Sequence, residues 1–424
     1  MRKRYAFAVV LAAAAALAGC STGTEGQSGQ QTETGSTGGT VTVNYYGRPD
    51  DNGVESAIVA AFEESHPDIK INYVELPDSS NDRLKTINTV LQAGDSSIDV
   101  FASDVTWPPI FASAGWVIPL DEYLEEGELD IYLEGPLSAF QFQGNNYGLP
   151  FMADCGALYY RKDLLEKYGK EVPETWAEVM ETGKEIADAE GGDINGFVSY
   201  WMQNESLTCA MLEFYWEKGG EVVNEEGKSV LDQDLLAETL AEMRDVIQNG
   251  TAAAGTETFG TTEARNVVTA GNAVFARDWL SGYEPYNDEE TSSVAGNMEI
   301  TSLPSYGTLG GWGVMVSAYS ANKEAAVEFA KFRASEEAQL IASDLADITP
   351  TLKSAYEEGE FLEKKPDLPK FLPVLENSRP RPQTPFYAEI SGIMQLEIHS
   401  VITGMTTPEE GAANITEQVA QVLQ

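Results

Sequence analysis

The sequence is poor in the residues that build metal and redox chemistry. Two histidines, His66 and His399, and three cysteines occur in 424 residues. That excludes a His-rich zinc centre and a cysteine-rich scaffold. Positive charge is scarce as well: 26 Lys and Arg stand against 68 Asp and Glu, a formal charge of −42. A chain this acidic has no general attraction for a nucleic-acid phosphate backbone. Beyond the N-terminus no apolar run approaches the roughly 20 residues a membrane-spanning helix needs. The motifs HExxH, GxSxG and GxGxxG are missing. EGKSV (226–230) has Val222 where a phosphate loop requires glycine, and SANK (320–323), an SxxK match, sits where a helix is capped. No metal and no cofactor are expected. What is present is a folding composition, 42% hydrophobic and 22% charged. The length allows two to three domains of roughly 150 residues and a core without disulfide staples.

The first residues set the compartment. Arg2, Lys3 and Arg4 precede an alanine-rich apolar stretch, Tyr5 to Leu17. A charged start and a short apolar run predict a secretory leader. Leu17-Ala18-Gly19-Cys20 resembles a lipobox, which places cleavage after residue 19 and an acyl anchor on Cys20. Residues 20–40 are mostly Ser, Thr, Gly, Gln and Glu and have nothing large and apolar to bury. They are expected to form a flexible tether holding an extracytoplasmic body to the membrane. In that compartment Cys155 and Cys209 are open to two readings, one disulfide or two buried thiols. The acidity fits either a solvated exported surface or a high-salt habitat.

After the tether the pattern alternates. VTVNYY (41–46), IKINYVEL (69–76) and SIDVFA (97–102) predict strands; 54–65 and 81–93 predict helices, the second with Leu84, Ile87, Val90 and Leu91 as its apolar stripe. This β-α-β-α-β order implies a parallel sheet with ligand beyond the carboxyl ends of its strands. Those ends hold Tyr46 and Arg48 after the first strand, and Asp104 and Trp107 after the third. A second unit begins near Phe151. It contains a capped helix at 172–189 (Thr175 with Glu178), helices near 205–218 and 232–249, strands at 272–279 and 310–320, and a helix at 323–339. A proline-rich stretch, 366–385, interrupts the helical C-terminal part.

Six stretches then carry a resemblance: IDVFASDVTWPPIFASAGWVIPLDEYL (98–124), YGLPFMADCGALYYRKDLLEKYG (147–169), VPETWAEV (172–179), GNAVFARDWL (271–280), GGWGVMVS (310–317) and EAAVEFAKFRASEEAQ (324–339). In order and spacing they resemble family 1 extracellular solute-binding proteins of ABC importers. RPQTPFY (381–387) and the GGW turn are similar to the trehalose/maltose-type branch. The resemblance implies an α/β, two-lobed periplasmic-binding-protein-like (type II-like) fold, each lobe a mixed sheet flanked by helices. Residues 41–151 with 274–309 would form one lobe, and 152–273 with 310–424 the other. A sugar would bind in the cleft by hinge closure and pass to ABC permease subunits driven by a separate ATPase. The chain would act as a monomer, not an enzyme.

A sugar offers an apolar face and a rim of hydroxyls, so it calls for aromatic plates, carboxylates and arginine forks. Asp104, Asp154, Trp279 and Arg381 match ligand-binding positions of the family, and Trp312 joins them as a candidate. Trp312 stands between glycines that would expose it. Arg48, Trp107, Tyr46 and Tyr283 are further candidates. The family's N-terminal acid has no clear counterpart in GRPDDNG (47–53); Asp50, Asp51 and Glu55 are the alternatives. Two competing readings are an anchored carbohydrate-active enzyme using two of these acids and a receptor for a cationic solute.

Overall fold

The computed structural model describes residues 39–424 except Asp51, Asp78, Glu225 and Glu358. The leader, Cys20 and nearly all of the tether lie outside the described residues.

Eleven strands follow in chain order: β1 Val41–Gly47, β2 Ile69–Glu75, β3 Val100–Asp104, β4 Gln141–Phe142, β5 Asn145–Asn146, β6 Gly148–Arg161, β7 Asn195–Val198, β8 Ala273–Trp279, β9 Met298–Thr301, β10 Gly307–Val316 and β11 Ser378–Arg379. β1 pairs in parallel with β2 and β3, as the alternating pattern predicts. Helix Val54–Ser65 supplies the first crossover and buries Ile58 and Phe62. Helix Ser80–Gln92 supplies the second and buries Arg83, Ile87 and Leu91.

The main sheet runs β2-β1-β3-β10-β6-β8-β7. β6 is the long member, 14 residues. Its first half lies antiparallel to β10 and its second half antiparallel to β8 and β9. One continuous strand therefore joins two sheet regions. Around the first region a buried cluster gathers Val43, Phe62, Phe101, Phe140, Phe329 and Phe371, and it continues past that region through Tyr159, Ala276 and Tyr286. Around the second another gathers Trp176, Phe197, Trp201, Phe214, Leu240 and Ile415.

Three expectations change. Residues 323–339 are not one helix: Lys323–Arg333 ends, and Ser335 caps a new helix, Glu336–Ala346, by accepting from the Ala338 amide. The proline-rich stretch holds helix Leu368–Glu376, with Pro369 in its first turn and Pro373 inside. Strand pairing runs counter to the lobe division that the resemblance implies. β8 pairs with β7 and the second half of β6, and β10 pairs with β3. Most buried apolar residues from Leu309 to Leu375 belong to the first cluster, while Ala338 and Ala342 pack with Val54 and Ile58. Sequence order misled here because β10 inserts antiparallel between two strands that precede it by well over a hundred residues.

Candidate ligand-binding site

Residues opposite one another in a sheet share a face. Trp312 of β10 lies opposite Asp104 and Met152, and Gly310 lies opposite Asp154. Gly156 lies opposite Trp279. Asp104, Asp154, Trp279 and Trp312, scattered over 209 positions of sequence, thus line one face where β6 and β10 run between the two regions. The approach is close: a side-chain carbon on Gly310 would stand 2.9 Å from the Trp279 ring.

Arg381 ties the halves together. Its Nη2 lies 3.4 Å from Asp104 Oδ1 at the end of β3, and its Nη1 donates to Glu205 Oε1 at 2.8 Å. Glu205 opens helix Glu205–Glu217, whose buried face belongs to the second cluster. Tyr387 donates to the same Glu205 oxygen, and Ser391 to the other. Asp104 also accepts from the Thr106 amide at 2.9 Å and hydroxyl at 2.7 Å, so the carboxylate is fixed in place. Asp104, Trp107, Glu205, Arg381 and Tyr387 line a cavity of about 50 Å³. Arg381 is buried, not a surface ion pair. Its charge is stabilised by the two carboxylates.

Trp312 departs from expectation: its flanking glycines do not expose it, and it is 9% accessible. The Arg48 and Arg83 guanidinium carbons lie 5.5 and 4.9 Å from its ring centroid. Trp107 meets it edge-on at 5.3 Å. Trp107, itself buried, is both core and cavity wall. These are favourable cation–π and T-shaped contacts, and they hold the indole rigidly.

Asp154 is buried on the crossing strand, where its Oδ1 accepts from the Leu280 and Cys155 amides, both at 2.9 Å. Burial pushes its carboxyl up to about 7. Trp279 is half-buried, with the Arg277 guanidinium 4.5 Å from its ring centroid. Arg277 is bound by both oxygens of Glu213 and reaches the Thr308 hydroxyl at 3.0 Å. A paired buried charge thus underlies the second indole.

Other candidates lie elsewhere. Tyr46 is half-buried in β1 and does not line the cavity. Tyr283 accepts from Lys370 Nζ at 2.6 Å and faces a separate space of about 370 Å³ shared with Phe371 and Thr349. Asp50 caps helix Val54–Ser65, accepting from the Glu55 amide at 2.8 Å and the Ser56 amide at 3.1 Å. Glu55 is buried against Arg333. Asp51 lies outside the described residues. Cys155 and Cys209 are two buried free thiols rather than a disulfide.

Arg83, Glu205, Tyr387 and Ser391 escaped the sequence reading. Arg83 had a signal: it stands four and eight residues before Ile87 and Leu91, in register with the buried stripe. Glu205 had none, since an acid in the first turn of a helix is ordinary.

Residues 48–340 match the family described as bacterial extracellular solute-binding protein. The chain belongs to that family. Such a protein is an extracellular solute-binding component of an ABC importer, and its partners are the permease subunits. Over 367 residues the chain is 30% identical to a probable ABC transporter-binding protein of Deinococcus radiodurans, covering 83% of this chain and 86% of the relative. The structure of a maltose-bound MalE3 of T. maritima superposes with a TM-score of 0.80 at 33% identity, covering 90% of this chain and 99% of that one. The GacH receptor of Streptomyces glaucescens matches at a TM-score of 0.77 and 23% identity, covering 91% of this chain and 98% of that one. The solute-binding protein thus has the two-lobed α/β fold. No helix among its described residues is long and apolar enough to cross a membrane.

Proposed function

We propose that this solute-binding protein is a monomeric, lipid-anchored receptor that closes on a sugar, a disaccharide or short oligosaccharide of the trehalose/maltose type. Acylated Cys20 and the tether to residue 40 hold it outside the membrane. The lobes divide within β6. Residues 41–155 with 309–375 form one lobe, and 156–303 with 387–422 form the other, following the pairing of β10 with β3 and of β8 with β7; the first buried cluster continues across this division through Tyr159, Ala276 and Tyr286.

The observation that carries the reading is the Asp104–Arg381–Glu205 chain, which joins the end of β3 to helix Glu205–Glu217 beside Trp107 and Trp312. A sugar between the lobes presents hydroxyls to Asp104, Asp154 and Arg381 and its apolar face to Trp279 or Trp312. Charge-assisted bonds contribute about 1.5–3 kcal/mol each. Three or four of them, with stacking, reach about −8 kcal/mol, a micromolar complex, after association costs. The maltose named for the T. maritima protein supports the sugar class. Closure follows because only the closed form lets both lobes touch one ligand.

Binding without turnover is the expected chemistry. Arg48, Arg83 and Arg381 crowd the aromatic face, which disfavours a cationic solute. A thermal-shift screen over mono-, di- and trisaccharides tests the reading. A ligand at a hundred times its dissociation constant stabilises by about 2.7 kcal/mol, and the sugar is recovered unchanged. Stabilisation by polyamines alone, or hydrolysed sugar, would reject it.

A further inference from the structure

Four buried or part-buried guanidinium groups in this protein come with carboxylates. Arg277 has Glu213, Arg265 has Asp278, Arg333 has Glu55, and Arg381 has Asp104 and Glu205. Arg48 is different. Among the described residues no carboxylate pairs with it. Its Nη1 donates to the Met152 thioether sulfur at 3.0 Å, a weak acceptor. Its Nε is buried with no hydrogen-bond partner, and among the described residues its Nη2 makes no hydrogen bond either. Burial pulls its basicity below the ordinary arginine range. Glu55, whose field favours the Arg48 charge, is committed to Arg333 by bonds of 3.1 and 2.9 Å. Glu55, Arg48 and Arg333 together leave one positive charge over; the field of Asp154 also favours it, but Asp154 accepts from the Leu280 and Cys155 amides and forms no bond to Arg48.

That charge stands at the ligand face. The Arg48 guanidinium lies over Trp312, 5.5 Å from the ring centroid, and its Met152 partner pairs with Trp312 across the sheet. The Nε–Nη2 edge of a guanidinium is one side of the planar fork that receives two oxygens of an oxyanion. An unpaired charge taken out of water is costly, and an incoming oxyanion removes that cost.

We propose that the saccharide taken by this site carries an oxyanion substituent, a carboxylate or a phosphate, which the free edge of Arg48 receives. The proposal rests on the sugar reading and specifies its ligand class. The net charge of −42 opposes an anion at long range, but salt screens exposed charges beyond about 8 Å at physiological strength and screens a buried contact pair far less.

Calorimetric titration of the full chain tests it with matched probes: glucose against glucuronate and glucose 6-phosphate, and trehalose against trehalose 6-phosphate. The anionic member of at least one pair is expected to bind about tenfold more tightly, a difference of about 1.4 kcal/mol. The uronate and phosphate arms tell which oxyanion is read. Arg48→Gln is expected to bring the ratio within each pair near one, and Arg48→Lys to keep part of it. The empty Arg48→Gln protein should melt no lower than wild type, because an unpaired, part-buried charge is gone. Equal affinities within each pair, or a ratio that survives Arg48→Gln, would overturn the proposal and leave the sugar reading standing. Failure of every sugar to bind would overturn both.

Discussion

Arg381 stands between Asp104 and Glu205, 3.4 Å from an oxygen of the first and 2.8 Å from an oxygen of the second. The carboxylates come from the end of a strand and the start of a helix whose buried side chains lie in different clusters. On the proposed function, one guanidinium therefore carries both a stability term and a closure term.

Replacing it separates the two. Arg381→Ala leaves Glu205 and Asp104 uncompensated; breaking a fully buried pair costs about 3–5 kcal/mol, and because both carboxylates are part-exposed the loss should fall below that. Urea unfolding measures that loss. Arg381→Lys keeps the charge without the fork, so it should recover part of the stability while the sugar-induced shift stays lost.

Asp154 gives the protein a pH dependence of defined sign. Its folded carboxyl titrates at about 7, raised by burial, against about 3.9 in an unfolded chain. Between those values the folded state keeps a proton that the unfolded state has lost. Its contribution is therefore fully present below about pH 4, declines as pH rises, and is gone above about 7. Asp154→Asn retains the oxygen that accepts the Leu280 and Cys155 amides. Its melting temperature should exceed that of wild type at pH 8, with the gap closing by pH 4. A constant gap would contradict the assignment.

Much of this was legible because local rules and tertiary packing agree. Strands 41–47 and 69–75, helix 54–65 and the Thr175–Glu178 capping box stand where alternation, periodicity and cap chemistry put them. Asp104, Trp107 and Arg381 do share one cavity, and Trp312 pairs with Asp104. The partner of β10 was not legible, because antiparallel insertion depends on which distant strands leave a vacant edge. Nor was the burial of Trp312: flanking glycines admit the arginines that cover it as readily as they admit solvent. Arg48 was placed by strand-end position, but its missing carboxylate emerges only when every neighbouring element is assembled.

Gly311 is a test of the crossing. Its φ is +117°, and a side-chain carbon there would collide with the Met152 carbonyl oxygen. Gly311→Ala should cost at least about 1–3 kcal/mol in backbone strain alone, read as a lower urea midpoint. Stability unchanged within error would mean that the β6–β10 crossing has a different local path.

The thiols give a simple chemical check. Burial pushes the Cys155 thiol well above its usual range and the Cys209 thiol up to about 12. Both should resist a water-soluble disulfide reagent in the native protein and react on unfolding. A reductant should leave the melting temperature unchanged; a fall would indicate a disulfide.

The most direct measurement is a crystal structure of the protein with a sugar that stabilises it. The account predicts density between the lobes, with a ring against Trp279 or Trp312 and hydroxyls within hydrogen-bond distance of Asp104 and Arg381. Density in the space beside Tyr283 and Phe371 instead, with the inter-lobe face empty, would contradict it.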